Sequence, residues 1–172
     1  GHFVMSLVGV SVPSLLTCLF ALVTMLRPEP LWSPRYAIPL AGILLGNVLT
    51  AVSLSLDGVL DGAKREAPAI EARLLLGHSM REATAPLARR SVQRALIPLL
   101  NQMSAAGIIT MPGIMTGQVL SGLDPLYAAT YQIALMLLLA GGSALASFMT
   151  VRLSLAMLSD ERERLRLDRL SS

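Results

Sequence analysis

Two groups of residues in this sequence have the types and spacing to do chemistry. The first is the run from Glu71 to Glu82. Glu71, Ala72 and Arg73 lead through Leu74, Leu75 and Leu76 into Gly77, a residue suited to closing a helix, and His78 follows. Ser79-Met80-Arg81-Glu82 then matches the S-x-x-E capping box that opens a new helix. The spacing predicts a helix, a sharp corner at Gly77-His78 and a second helix. It reads either as a solvated helical hairpin or as an interaction knuckle, because three successive leucines give more apolar surface than a solvated loop needs.

The second group is polar and sulfur-bearing, and it sits inside an apolar run. Asn101, Gln102, Ser104, Thr110, Thr116 and Gln118 cluster there, and Asn47 stands alone in an earlier apolar stretch. Polar groups in hydrocarbon are costly unless paired or wetted, so these are expected to face a bundle interior or a cavity. Lining a path and hydrogen bonding between helices both satisfy that condition. Met103, Met111 and Met115 belong to the same region, and the last two are spaced to share a helix face. Thioether sulfur is a soft ligand suited to soft metals, but in a chain with nine methionines packing filler is the better default.

Other chemistry is absent from the pattern. His2, His78 and the single Cys18 are too scattered for a tight metal site, and one cysteine forms no intrachain disulfide. The sequence has no G-x-x-x-x-G-K-[ST] phosphate loop, so this chain is not expected to hydrolyse ATP. Neither a Ser/His/Asp set nor paired carboxylates lie in the apolar runs, which argues against an enzyme and against a carboxylate proton relay.

The elements that must position these residues follow from composition. Of 172 residues 53% are hydrophobic and 15% charged, too little charge to cover a soluble globule. The charges leave long intervals empty, which predicts an all-α polytopic membrane protein with about four spans, near 3–26, 36–56, 95–118 and 126–151. The segment 57–94 holds seven basic residues and the tail 152–172 five more, against two in the remaining connections. Basic residues are retained on the cytoplasmic side, so segment 57–94 and the tail are expected there; the charges read as topology rather than as a binding patch, with anionic lipid a further contact for the tail and no nucleic acid expected. Gly42 with Gly46 and Gly113 with Gly117 form G-x-x-x-G pairs, expected to be helix-packing sites, and Gly141-Gly142 with Ala144 and Ala146 makes a similar surface. Pro98 and Pro112 predict a kinked or broken third span. The first span lacks a basic leader and is interrupted by Pro13, so it is not read as a signal peptide. A start at Gly1-His2 reads as a cloning remnant or as part of a longer protein with further helices upstream.

On these residues the chain resembles a known family. Glu71-Ala72-Arg73-x-x-x-Gly77 is similar to the E-A-A-x-x-x-G motif of ABC-transporter permeases, although Arg73 replaces the small third residue. The wider stretches IPLAGILLGNVLTAVSLSL at 38–56, EARLLLGHSMREA at 71–83, ALIPLLNQMSAAGIITMPGIMTGQVLSGLDP at 95–125 and YQIALMLLL at 131–139 resemble the FetB-type permeases associated with iron export, whose plant relatives are associated with aluminium tolerance. The resemblance covers about residues 28–155, and members of that family are longer at the N-terminus. It implies a multi-pass permease subunit of the inner (plasma) membrane, forming a homodimer with two ATP-binding cassette subunits that carry the ATP and magnesium. Glu71, Ala72, Gly77, His78, Ser79 and Glu82 would couple it to those subunits. Iron or another metal ion would pass Asn47, Asn101, Gln102, Met103, Met111, Met115 and Gln118 as transient ligands rather than at a tight site. A permease for a small organic solute such as a nucleotide sugar, or a non-transporting membrane scaffold, fits the same pattern.

Overall fold

Helix α1 runs from Pro34 to Arg65 without interruption in the computed structural model, which describes residues 34–107, 109, 112–159 and 165. The predicted span 3–26 with Cys18, together with His2, Thr110, Met111 and most of the tail, lies outside the described residues. α1 has 32 residues and so is about 48 Å long, well beyond the ~30 Å of a hydrocarbon core. Asp57 and Asp61 end the apolar stretch but not the helix, since a charged side chain facing water leaves backbone hydrogen bonding intact. Pro68 stops it: lacking an N–H, it cannot continue the ladder, but it is tolerated in the first turn of α2 (Ala67–Leu75).

α3 (Met80–Ala105) follows the corner, and it stays helical through Pro86 and Pro98. The break expected at Pro98 is absent, whereas the one expected at Pro112 is present: α3 ends at Ala105 and the next helix starts at Gly113. Ala95 and Leu99 on either side of Pro98 are both buried, and their packing holds the helix together across one missing hydrogen bond. Gly107 takes a left-handed φ of 82° just past the end of α3, which a side-chain-bearing residue adopts only with strain. The short α4 (Gly113–Leu120) begins after Pro112 and ends in a Schellman turn at Gly122. α5 (Pro125–Leu158) opens on Asp124, whose carboxylate accepts from the Leu126 N–H at 2.9 Å. Among the described residues, the stretches Gly42–Arg65 and Pro125–Leu158 are each long and apolar enough to cross a membrane.

α1, α3 and α5 pack mutually, α4 lies on α5, and α2 bridges α1 and α3. The buried clusters fix the directions. At one end Val59 and Ala63 of α1 meet Ile70 of α2, Met80 and Leu87 of α3 and Leu155 of α5. At the other end Leu44, Leu99, Leu135 and Leu139 come together, with Ile114 of α4 against them. α1 and α5 are therefore parallel and α3 is antiparallel to both. The connector and the last turns of α5 lie at the same end, as the distribution of basic residues requires.

Among the described residues, a methyl group added at Gly42, Gly46, Gly113, Gly117 or Gly141 would meet nothing within 4 Å, whereas Ala146 of the predicted small-residue surface on α5 is buried against Val48 and Val52 of α1. The close approach is made instead by Gly58 and Gly62, where an added Cβ would come 3.1 Å from Ser91 Oγ and 2.2 Å from Leu87 Cδ1. That pair also has G-x-x-x-G spacing, but it lies in the charged extension of α1, beyond its apolar interval.

Candidate functional site

The corner between α2 and α3 is built from backbone hydrogen bonds. Gly77 adopts a left-handed φ of 89°. The Gly77 N–H donates to Leu74 O at 3.0 Å and the His78 N–H to Arg73 O at 3.2 Å, which completes a Schellman turn. Ser79 then starts α3 with a full capping box: the Glu82 N–H donates to Ser79 Oγ, and the Ser79 N–H donates back to Glu82 Oε2 at 2.9 Å. The Ser79 hydroxyl gives the same carboxylate oxygen a second hydrogen bond. These two donors, with a smaller contribution from His78 whose Nδ1 is 3.9 Å away, hold the Glu82 carboxyl below its usual pKa.

Side chains brace the turn from the inside. Arg73, the residue that departs from the E-A-A pattern, donates from Nη1 to Ala83 O in α3 at 3.0 Å. A small residue there would leave that strut out. Glu66, at the α1–α2 junction, pairs with Arg90 of α3 and with Arg65. The three leucines separate: Leu74 packs against the cluster of Val59, Ile70 and Leu155, whereas Leu75 and Leu76 are 89% and 80% exposed. Glu71, Ala72, Gly77, His78 and Glu82 are exposed around them and Ser79 is half-buried. The corner is a braced frame that presents two leucines to solvent, with Glu71, Arg73, His78, Arg81 and Glu82 exposed around them.

Among the described residues, the polar and sulfur-bearing side chains have separate surroundings. Asn101 and Gln102 point away from the bundle and are exposed, as is Ser104, contrary to the expected interior placement. Met103 packs against the Leu44 and Leu99 cluster, and Met115 is half-buried in α4. Asn47 donates to Ile43 O of its own helix at 2.9 Å. Thr50, Ser104 and Thr116 do the same four residues back, so their hydroxyls need neither a partner helix nor a cavity. Gln118 differs, since its Oε1 is buried without a hydrogen bond among the described residues.

Sequence reasoning missed a polar seam in α5. Gln132, Ser143, Ser147 and Thr150 lie on its buried face, and the side-chain oxygens of Gln132, Ser143 and Thr150 have no partner among the described residues. Ser91 of α3, against Gly58, is buried in the same state. The usable signal was periodicity, because positions 132, 143, 147 and 150 fall on one helical face. Among the described residues, no three His, Cys, Asp or Glu side chains come together.

Long parallel apolar helices, an antiparallel partner and basic residues gathered at one end define a helical membrane protein. The chain belongs to the UPF0014 family, described as an uncharacterised protein family, whose model matches residues 1–158. A Synechocystis relative, UPF0014 membrane protein slr1647, is 39% identical over 120 residues, covering 70% of this chain and 46% of the relative. The rice UPF0014 membrane protein STAR2 is 36% identical over 133 residues, 77% of this chain and 46% of that protein. An Escherichia coli relative named probable iron export permease protein FetB is 31% identical over 132 residues, 77% of this chain and 51% of its own length. The chain thus spans about half the length of the curated relatives it matches. No solved structure matches.

Proposed function

We propose that this chain is the membrane-spanning part of an ABC-transporter permease that exports iron or another metal ion, driven by ATP hydrolysed on a separate subunit. The observation that carries the reading is the corner: a doubly capped turn, braced by Arg73 and packed onto α1, α3 and α5, that displays Leu75 and Leu76 to solvent. Two leucines exposed on a braced frame suit insertion into a groove of a partner, and the frame passes any displacement of that partner to all three core helices. Coupling needs contacts that differ between two states of the partner, and such a knuckle supplies them.

The relative named for iron export supports the substrate class. Asn101 and Gln102, exposed at the end of α3 remote from the corner, suit a path formed between two copies of the permease rather than inside one, with Met115 and Gln118 nearby in sequence on α4. Their ligation would be weak and transient, as conduction requires. ATP and magnesium would sit on the partner subunit.

The test is ATPase activity of the complete permease reconstituted with its ATP-binding subunit across a panel of metals and organic solutes. Iron-stimulated activity that disappears with Gly77→Val is the expected result, because the left-handed turn resists a β-branched residue by about 1–2 kcal/mol and the corner shifts. Activity stimulated by a nucleotide sugar but by no metal would overturn the substrate. Full coupling in Gly77→Val would overturn the role of the corner.

A further inference from the structure

A groove of about 720 Å³ runs between α3 and α5 at the connector end of the bundle, starting at Met80 and Arg81 in the first turn of α3. Its floor is aliphatic, with Ala85, Ala88 and Val92 from α3 facing Val151, Leu155 and Ala156 from α5. Arg81 and Arg89 of α3 and Arg152 of α5 rim it, and no Asp or Glu among the described residues lines it. The described carboxylates that form ion pairs are Glu66, with Arg65 and Arg90, and Glu82, with His78; none pairs with the three rim arginines. The Arg152 guanidinium instead lies 5.0 Å from the centroid of the Phe148 ring.

The height of the groove on the bundle selects its occupant. Phe148 and Val151 belong to the apolar stretch of α5, and Arg152 is the first charge after it. One end of the groove therefore opens at hydrocarbon level and the other at the level of headgroups. A molecule that fills it must be apolar at the first end and anionic at the second. An acidic peptide would match the arginines but not a floor that continues into hydrocarbon. A zwitterionic lipid would match the floor but bring its own cation to three arginines that pair with no described carboxylate.

We propose that the α3–α5 groove is a binding site for one anionic phospholipid of the cytoplasmic leaflet, its acyl chain along Ala88 and Val151 and its phosphate between Arg89 and Arg152. This goes beyond the transport reading and needs the membrane placement of the chain but not its coupling to ATP. Each arginine near an anionic headgroup is expected to contribute about five-fold in affinity, and the cation–π contact holds Arg152 at the groove mouth.

Native mass spectrometry of the full-length protein in mild detergent tests the site, titrated with phosphatidylglycerol or phosphatidylcholine of identical acyl chains. The expected result is retention of one phosphatidylglycerol per chain in preference to phosphatidylcholine. The double variant Arg89→Gln/Arg152→Gln should weaken it roughly 25-fold, whereas Arg94→Gln, outside the groove, should leave it unchanged. Ala156→Phe, which fills the floor and keeps every charge, should also displace the lipid. Thermal melts in the same detergent establish that the variants are folded. Equal retention of both lipids by the wild type, or undiminished phosphatidylglycerol binding by the folded double variant, would overturn the proposal. Loss of the ATP-binding subunit from the double variant with lipid retention intact would also overturn it and assign the groove to that subunit. Because no ATP or metal is used, failure here is distinct from failure of the transport reading.

Discussion

The carboxylate of Glu82 closes the capping box of α3, and its lowered pKa fixes the sign of a pH effect. A carboxyl with a depressed folded-state pKa contributes stability that is fully present above its unfolded value and is lost as pH falls through the folded value. The difference in thermal midpoint between wild type and Glu82→Gln should therefore be constant near neutrality and narrow once pH drops below the ordinary glutamate range. A difference independent of pH would show that the charge plays no part. Ser79→Ala removes the acceptor for the Glu82 N–H and the hydroxyl donor at once, and should destabilise the protein by about 1 kcal/mol, read by thermal unfolding. At this scale the sequence was most informative. S-x-x-E and a preceding glycine specify their hydrogen bonds through local spacing alone, and those bonds are present in the structure. Arg73 was not legible in the same way, because its acceptor, Ala83 O, is brought near only once the corner has folded.

At the scale of the helices, the glycines separate into two kinds. Gly62 faces buried Leu87 at a distance that leaves no room for a methyl group, so Gly62→Ala should destabilise by about 1–3 kcal/mol. Gly46 faces open space, and Gly46→Ala should be neutral or stabilise by up to about 1 kcal/mol through helix propensity. Comparing the two melting temperatures tests whether the α1–α3 contact at Gly58 and Gly62 is the true packing seam; equal effects would refute it. Spacing alone cannot separate these pairs. A glycine doublet states that a close approach is possible, and the partner that makes it comes from another helix. The same limit applies to Pro98, where burial of Ala95 and Leu99 outweighs the local tendency to break, and to the polar residues of α3. Hydropathy identifies Asn101 and Gln102 as anomalous in an apolar run but does not say which face of α3 they occupy.

For the molecule as a whole, the corner carries the clearest consequence. Leu75 and Leu76 make little of the fold, so Leu75→Ser/Leu76→Ser should leave thermal stability within about 0.5 kcal/mol of wild type while abolishing co-purification of the proposed ATP-binding subunit. A variant that melts early, or one that keeps its partner, would contradict the division between Leu74 inside and its two neighbours outside. The groove between α3 and α5 is a feature of the same order, since it joins arginines more than sixty residues apart in the chain. Composition and charge by themselves pointed to a helical membrane protein, with the basic connector at the same end as the last turns of α5, because hydration of charges and burial of apolar surface act on every residue regardless of its neighbours. Only the tertiary structure decided which leucine faces inward, which glycines touch, and that Arg89 and Arg152 share a groove. Each of those depends on how two helices are rotated against one another, which is settled by packing between segments distant in sequence.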